Sequence, residues 1–350
     1  MPECRVSVVI PACNAASYLA RCLDALADGA PDGCEIIVVD DASRDDTKAL
    51  AAAKGARVVR QPVNGGPSRA RNAGCREARG EILYFVDADI VVHPGAIAHV
   101  IAFLDAHPEA TAVFGSYDDR PAVPGVISQY RNLLHHYTHQ TGRREASTFW
   151  SGCGAIRRAA FLAVGGFDER DYPRCIEDIE LGYRLRRAGH SIVLDPTLLC
   201  THLKEWTIRS MVLADVFCRA IPWARLNRAR GSAPDDLNIK QSQKLSVLLT
   251  GLALLCLPLA LLSPWFLAGA AVAVVLVVAL NRQLFNFLCR ARGRWFALRC
   301  IPLHLLYFFY SGASFAWVQL AGLLGIVPRD WNAGNGDCNR KSVSRPGERN

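Results

Sequence analysis

From Val6 to His202 the chain alternates short apolar runs with stretches where apolar residues recur every three or four positions. The first pattern marks buried strands and the second marks helices with one buried face. "RVSVVIPACN" is a β-branched run ending at Pro11, a strand followed by a loop. Between Ala16 and Ala27, Leu19, Cys22, Leu23 and Leu26 fall at helical spacing. "CEIIVVDDAS" predicts a second strand closed by two aspartates, and "DDTKALAAAKGA" a helix that Asp45 or Asp46 caps and Gly55 stops. "RVVRQP" is a third, shorter strand; "NGGPSRARNAGCREARG" is a glycine-rich loop leading into a helix; "EILYFVDAD" is a fourth strand. A helix after Pro94 and a strand over "ATAVFGSY" follow. Residues 120–147 are polar, rich in His and Arg, and show no period; they are expected to form a mobile segment over the site. "FWSGCGAIRRAAFLAVGGFDE" gives a glycine-rich turn and a helix, "EDIELGYRLRRAG" a helix ended by Gly189, and "HSIVLDP" a last strand.

Strands that alternate with helices predict an α/β fold: a mostly parallel mixed sheet with helices on both faces. Ligands in such sheets lie beyond the carboxyl ends of the strands, where Pro11, Asp40, Asp41, Asp87 and Asp89 fall.

The pattern changes at Ser246. Leu245–Leu262 and Trp265–Leu280 predict a helical hairpin bent at Ser263 and Pro264. Residues 282–300 mix Arg with Phe, Leu and Trp, as an amphipathic helix at a membrane interface does. Residues 301–327 carry no charge and are long enough to span a bilayer, with "SGAS" an expected break. The predicted organisation is a catalytic domain over 1–240, a membrane region of two to three spans over 241–327, and a polar tail over 328–350.

Charge sharpens this picture. The formal net charge of the 350-residue chain is +8, and many basic residues flank the apolar segments: Arg225, Arg228, Arg230, Lys240 and Lys244 before them, Arg282, Arg290, Arg292, Arg294 and Arg299 between them. That distribution fits the positive-inside rule and anionic headgroups, and no nucleic-acid partner is expected. The basic tail (Arg329, Arg340, Lys341, Arg345, Arg349) favours the inner side, which three full spans would forbid; a re-entrant third segment would reconcile the two. The N-terminus has neither a signal-peptide nor a transit-peptide pattern. The 13 cysteines show no CxxC pair; several, such as Cys13, Cys22 and Cys256, sit in apolar periodicity and read as small buried hydrophobes in a reducing compartment.

The candidate chemistry lies in carboxylates. Asp87 and Asp89 share one side if the strand continues through them. Two carboxylates that close repel unless a cation lies between them, and a hard divalent ion with diphosphate oxygens would fit; a solvated turn is the alternative. Asp40 and Asp41 could accept from a nucleobase imide or ribose hydroxyls, or cap the next helix. Arg69 and Arg71 could meet phosphate charge or be solvated. Glu177, Asp178 and Glu180 open a helix, where an acid is either a cap or a general base. His202 follows a strand, as a structural histidine or a third metal ligand.

Together, "VSVVIPACNAASYLARCLDAL", "IIVVDDASRDDT", "NGGPSRARNAG", "ILYFVDADI", "GCGAIRRAAFLAVGGFDE" and "EDIELGYRLRRAG" resemble the family 2 glycosyltransferases, in order, from about Val6 to Thr207. The resemblance implies a GT-A fold followed by C-terminal transmembrane helices, and inverting transfer from a nucleotide-sugar donor, a UDP- or GDP-sugar. It implies that Pro11, Ala12 and Asp41 lie against the nucleotide, with Asp40 nearby. Asp87 and Asp89 match the D-x-D that binds Mg²⁺ or Mn²⁺; His202 resembles a histidine some members add to that shell. Asp178 matches the catalytic base, with Glu177 beside it, and Trp150, Ser151 and Gly152 fall where the family shapes the acceptor pocket. Processive members carry Q-x-x-R-W before their membrane helices. Here "FCRAIPWARL" offers Arg219, Trp223 and Arg225 at other spacing and no Gln. A single transfer to a hydroxyl or phosphate of a lipid-linked or glycan acceptor at the membrane is therefore expected, as in cell-envelope glycan synthesis. The catalytic domain would be cytoplasmic, where nucleotide sugars are made, in a multi-pass cell-membrane protein.

Two other classes compete. A membrane-anchored scaffold would carry a damaged D-x-D or lack the base, and both are intact here. A nucleotidyltransferase would show a Gly-rich basic loop after the first strand, whereas "PACNAASY" has neither Gly nor Lys.

Overall fold

The computed structural model of the chain describes residues 4–230 and 241–326. The expected polar tail over 328–350, with its basic residues, and Lys240 lie outside the described residues. Two compact units make up the chain, one of residues 1–124 and 132–205, the other of 125–131 and 206 onward.

The first unit follows the predicted alternation: β1 (Val6–Ala12), α1 (Ala16–Ala27), β2 (Cys34–Asp40), α2 (Thr47–Ala53), β3 (Arg57–Arg60), α3 (Pro67–Glu77), β4 (Ile82–Val86), β5 (Ile90–Val92), α4 (Ala96–Ala106) and β6 (Ala110–Tyr117). Next come α5 (Val126–Gln140), whose residues up to Arg131 fall in the second unit, β7 (Cys153–Arg157), α6 (Arg158–Ala163), α7 (Glu177–Arg187) and β8 (Ser191–His202). The sheet has eight strands in the order β3-β2-β1-β4-β7-β6-β8-β5. The pairs β1–β2, β2–β3, β1–β4 and β6–β8 are parallel. β7 runs antiparallel to β4 and β6, and β5 antiparallel to β8.

Helices pack on the sheet through small or apolar faces. α1 buries the predicted Leu19, Cys22, Leu23 and Leu26. α3 buries Ala70, Ala73, Gly74 and Cys75. Its approach depends on Gly74: a Cβ there would stand 2.5 Å from Val9 Cγ1, so any side chain would push α3 off β1. Asp46 is the N-cap residue of α2 but makes no side-chain cap bond; Asp45, one residue earlier, accepts from the Thr47 N–H at 3.1 Å, and Gly55 follows the helix end with φ +78°.

Three features position the site. The strand order switches between β1 and β4, with β2 and β3 added on one side of β1 and β4 on the other, and Pro11 lies beyond the last β1–β4 pair, Val9 with Phe85. A crevice at carboxyl ends opens at such a switch. Antiparallel β7 starts opposite the end of β4, with Cys153 facing Val86, and so delivers the preceding turn, Trp150–Ser151–Gly152, to that crevice. Antiparallel β5 starts opposite the end of β8, with Ile90 facing His202, and so brings Asp89 beside His202.

Residues 126–140, expected as part of a mobile polar segment, are the helix α5. The sequence hid it because its polar positions are themselves buried: Ser128, Gln129, Arg131, Asn132 and His139.

The second unit contains α8 (Ile208–Asp215), a π-helical turn over Val216–Ala220, α9 (Ile221–Arg230), α10 (Gln241–Leu259), α11 (Trp265–Leu280), α12 (Arg282–Arg292) and α13 (Arg294–Leu323). α10 and α11 form the predicted hairpin, and both α10 and α12 pack on α13. Thr207 and Ser210 cap α8 reciprocally. Two buried polar pairs join its helices: Arg131 with Asp215 at 2.5 Å and Tyr130 with His304 at 2.8 Å. Two expectations fail here. The segment 282–300 is not one helix, because Gly293, at φ +87°, ends α12 and α13 starts at Arg294. "SGAS" breaks nothing, since α13 runs through it for 30 residues. Small residues in a long helix lower its intrinsic stability by fractions of a kcal/mol each, less than packing against a neighbour restores.

α10 and α13 are each long and apolar enough to cross a membrane. α11 and α12 meet the same test only as a pair bent by 74°. Leu248, Leu255, Val275 and Leu323 are among their outward-facing residues, an exposed apolar surface that water would penalise.

All twelve described cysteines are free thiols. Cys22 and Cys256 are buried as expected, while Cys13 is only half-buried.

Candidate active site

The carboxyl end of β1 is closed by a loop tied to Asp41. Its N–H donates to the Ala12 carbonyl at 2.8 Å, and its carboxylate accepts from the Gly65 and Gly66 amides, each at 2.8 Å. Gly66 needs its freedom twice over: its φ is +88°, and a Cβ would meet the Pro173 carbonyl at 2.4 Å. Burial pushes the Asp41 carboxyl above its ordinary range, against the pull of the two amides, Arg174 and Arg69. Asn14 and Ala42, on either side of this loop, hold φ of 52° and 57°, strain that a side chain adopts only where its surroundings impose it. Asp40 is fully buried; its Oδ1 accepts from the Ser43 amide at 2.9 Å and its Oδ2 lies 3.7 Å from Arg60. The aspartates thus order the loops at the mouth, Asp41 beside Pro11 and Ala12, Asp40 behind it. Arg69, on the first turn of α3, makes no hydrogen bond among the described residues, and its charge acts on Asp41.

The D-x-D does not continue the strand. β4 ends at Val86, and Asp87–Asp89 turn, with the Ile90 amide donating to the Asp87 carbonyl at 3.0 Å. The period-two argument therefore fails, and the two carboxylates meet different partners. Asp87 Oδ1 accepts from Arg71 at 2.6 Å. Asp89 Oδ2 lies 3.3 Å from His202 Nε2. Burial pushes the Asp87 carboxyl up, Arg71 opposes this and Asp89 adds to it. Burial acts on Asp89 too, but His202 and Lys204 hold it below its ordinary range. His202 is the last residue of β8, not beyond it. Its Nδ1 lies 2.9 Å from Asn132 Oδ1 and its ring stacks on Tyr117, with centroids 4.8 Å apart.

Arg71 is the organiser that the sequence left open between phosphate contact and solvated face. It is buried, and its second guanidinium nitrogen donates to Glu177 Oε1 at 2.7 Å. One cation thereby joins the D-x-D turn to the first residue of α7. Glu177 is 7% exposed, and burial, with Asp178 adding to it and Arg71 opposing it, pushes its carboxyl up to about 7. α7 starts after Ile176, which holds φ 53°, a left-handed conformation rare for a β-branched residue. The N-cap residue, Ile176, makes no side-chain cap bond.

Asp178 is half-buried. Its Oδ2 accepts from the Ser151 amide at 3.2 Å and its Oδ1 from the Ile179 amide at 2.8 Å. The same turn reaches the D-x-D, since the Gly152 carbonyl accepts from the Asp87 amide at 3.1 Å. Trp150 adds its ring to an aromatic group of Tyr117, His135 and His139, at centroid distances of 5.1, 4.7 and 5.3 Å. Of the residues read from the sequence, the structure brings Asp87, Asp89, His202, Glu177, Asp178, Trp150, Ser151 and Gly152 into one connected cluster. Pro11, Ala12, Asp40, Asp41 and Arg69 form the neighbouring mouth at β1.

Among the described residues, no three His, Cys, Asp or Glu side chains gather to hold a metal on their own. A Mg²⁺-type ion rarely needs such a cage, because one or two carboxylates plus substrate phosphates and water suffice. Asp89 and His202, an oxygen and an imidazole nitrogen 3.3 Å apart, fit that partial shell, and Asp87 adjoins it.

A sheet whose strand order switches between parallel β1 and β4, with carboxylates at the switch and an acid-led helix beside them, has the GT-A architecture. The fold matches that of the mannosyltransferase PcManGT from Pyrobaculum calidifontis, solved with GDP-Man and Mn²⁺, at TM-score 0.57 and 21% identity over 89% of this chain and 87% of that one. Residues 7–165 match the profile of glycosyl transferase family 2. The chain is 29% identical over 221 residues to the pre-mycofactocin glycosyltransferase of Mycobacterium tuberculosis, covering 58% of this chain and 45% of that protein. It is 30% identical over 218 residues to the validoxylamine A glucosyltransferase of Streptomyces hygroscopicus, covering 53% and 48%. The chain thus spans about half the length of these relatives.

Proposed function

We propose that this protein is an inverting, metal-dependent glycosyltransferase. It would move a sugar from a nucleotide-sugar donor, a UDP- or GDP-sugar, to a hydroxyl or phosphate of an acceptor held at a membrane. The observation that carries the reading is the cluster where the strand order switches. There Asp89 and His202 form a partial ion shell, and Asp178 is held by the Ser151 amide on the turn that also bonds Asp87.

Each residue has a task. The mouth built on Pro11, Ala12 and Asp41 receives the nucleotide, with Asp40 holding the loop behind it and Arg69 facing diphosphate charge. Asp87, Asp89 and His202 would hold Mg²⁺ or Mn²⁺, which when bound offsets the charge of the leaving diphosphate. Asp178 takes the acceptor proton, and two backbone amides aim it. Glu177 aligns α7 through Arg71, while Trp150, Ser151 and Gly152 wall the acceptor side. The acceptor oxygen attacks the anomeric carbon opposite the leaving diphosphate, so one displacement inverts the centre and no enzyme nucleophile is needed.

The membrane part of the reading rests on α10 and α13, with α11 and α12 as a bent third segment. Exposed Arg282, Arg290, Arg294 and Arg299 would face anionic headgroups, and Trp295, 78% exposed, the interface. We assign 1–240 to catalysis and 241–327 to the membrane, with the catalytic part on the cytoplasmic side and a lipid-linked or glycan acceptor.

A donor screen tests the reading. The full chain in detergent is incubated with Mn²⁺ or Mg²⁺ and a panel of UDP-, GDP- and TDP-sugars, with and without membrane lipid extract. Nucleoside diphosphate release from one donor, raised by lipid, is expected. Absence of nucleotide binding would sink the assignment in favour of a scaffold.

A further inference from the structure

Two consecutive glycines at the mouth beside β1 each lie under an arginine stem. A Cβ on Gly65 would stand 2.3 Å from Arg69 Cδ, and one on Gly66 would stand 2.8 Å from Arg174 Cγ. Arg69 comes from the first turn of α3. Arg174 comes from the segment between α6 and α7, shortly before Glu177 opens α7. Both glycine amides donate to the Asp41 carboxylate, at 2.8 Å each. The turn therefore has no backbone donor left for an anion, and the side chains above it must supply any.

Arg174 is held in place but not neutralised. Its Nη2 donates to the Asn64 carbonyl at 3.3 Å, its one hydrogen bond among the described residues. Asn64 in turn donates to the Asp41 carbonyl at 3.2 Å and to Cys13 Sγ at 3.0 Å, which ties this contact to the loop after β1. Two carboxylates of Arg174's own segment are engaged elsewhere. Asp168 accepts from the Arg170 and Asp171 amides, while Glu169 accepts from Asn72 at 2.9 Å and lies 3.6 Å from Arg76. Arg71, by contrast, is paired with two carboxylates. The charges of Arg69 and Arg174 both act on Asp41, against a larger effect of burial. One carboxylate thus meets two guanidinium groups, and the surplus is positive.

We propose that Arg174 binds phosphate oxygens of the nucleotide-sugar donor, as the partner of Arg69 across the Gly65–Gly66 turn. This rests on the reading of the mouth as the nucleotide site. A guanidinium presents several N–H donors in a planar fork that matches phosphate oxygens, and Arg174 commits one of them. That contact is solvent-exposed, so exchanging it for a phosphate strands no buried acceptor. The segment also crosses α3 at Ser68, whose amide donates to the Pro173 carbonyl at 3.3 Å and whose hydroxyl donates to the Tyr172 carbonyl at 2.5 Å. It then leads through Ile176 into α7. A phosphate on Arg174 therefore steadies the chain just ahead of Asp178.

The test uses the full chain in detergent with Mn²⁺ and two ligand series, uridine, UMP and UDP, and guanosine, GMP and GDP. Affinity is measured by calorimetry, and by saturation-transfer NMR for the weakly bound nucleosides. In the series that binds, Arg174→Gln should lower diphosphate affinity by roughly 10- to 100-fold and nucleoside affinity by less than about twofold. Arg174→Lys keeps the charge and loses the fork. It should lose part of the diphosphate affinity and none of the nucleoside affinity, and it carries the test if the glutamine variant does not fold. Added salt should weaken diphosphate binding more steeply in the wild type than in Arg174→Gln. Unchanged diphosphate affinity overturns the proposal. So does an equal loss for nucleoside and diphosphate, which would make Arg174 a support of the Asn64 loop alone. If the wild type binds neither series, the nucleotide reading of the mouth fails and the proposal falls with it.

Discussion

The two ends of β1 and β2 treat their carboxylates in opposite ways. At the amino end, Glu35 accepts from Ser7 Oγ at 2.6 Å, from the Arg79 amide at 2.7 Å, and from the Arg79 guanidinium at 3.1 and 3.2 Å. Ser7 in turn accepts from the Gly80 amide at 2.8 Å. Burial works against the Glu35 charge, but these donors hold its carboxyl below the ordinary range. At the carboxyl end, Asp87 and Glu177 share one guanidinium, and both are pushed up. The amino end gives each charge several donors and so adds stability. The carboxyl end leaves carboxylates short of cations, a deficit that a divalent ion and a substrate proton are suited to meet. The comparison separates a carboxylate held by several donors from two that share one cation.

Removing the proposed base should give the largest effect. Asp178→Asn should lower transfer by about 10²–10⁴-fold while donor affinity, measured by calorimetry, stays within a few-fold. Glu35→Gln, at the other end of the sheet, should leave turnover of the folded protein unchanged. Lost donor binding in Asp178→Asn would contradict its role as base.

Arg71 comes next. Arg71→Met leaves two buried carboxylates without their cation and should cost about 3–5 kcal/mol in chemical denaturation. Adding Glu177→Gln should recover part of that loss. Arg79→Met, at the exposed amino-end site, should cost under about 1 kcal/mol from its ion pair. Similar losses at Arg71 and Arg79 would erase the contrast between the two ends.

Asp89→Ala follows. It should weaken the Mn²⁺-dependent part of donor binding by at least roughly tenfold, with little change in binding without metal. Unchanged Mn²⁺ dependence would remove Asp89 from the ion shell.

The strands, the helices around them and the carboxylates at strand ends were legible because each is a local pattern. "EILYFVDAD" announces its strand and its acids within nine residues. What escaped depends on distant partners. Arg71 stands on the buried face of α3, but that face is Ala70, Ala73, Gly74 and Cys75, too small to reveal itself by hydrophobicity. Asn132 sits in a helix whose buried positions are mostly polar, so periodicity did not find it. The antiparallel direction of β7, which carries Trp150–Gly152 to the site, follows from packing between strands distant in sequence. The turn at Asp87–Asp89 was missed because an apolar run continues on its far side as β5.

The smallest effect is in pH dependence, and its sign differs at the two ends. Glu35 has a folded pKa below its unfolded value, so its stabilisation is present above the unfolded value and is lost as pH falls through the folded one. Glu177 has a folded pKa of about 7, above its unfolded value of 4.5. Between the two values the folded state binds more protons, so this group makes stability fall as pH rises from 4.5 toward 7. Glu35→Gln should therefore flatten the acid limb of the stability profile, and Glu177→Gln should flatten the decline toward neutrality. Thermal unfolding in detergent from pH 4 to 8 separates them, with shifts of roughly a few degrees for each kcal/mol removed. If both variants flatten the same limb, the carboxylates at the two ends are held alike, and the carboxyl end carries no deficit for an ion to fill.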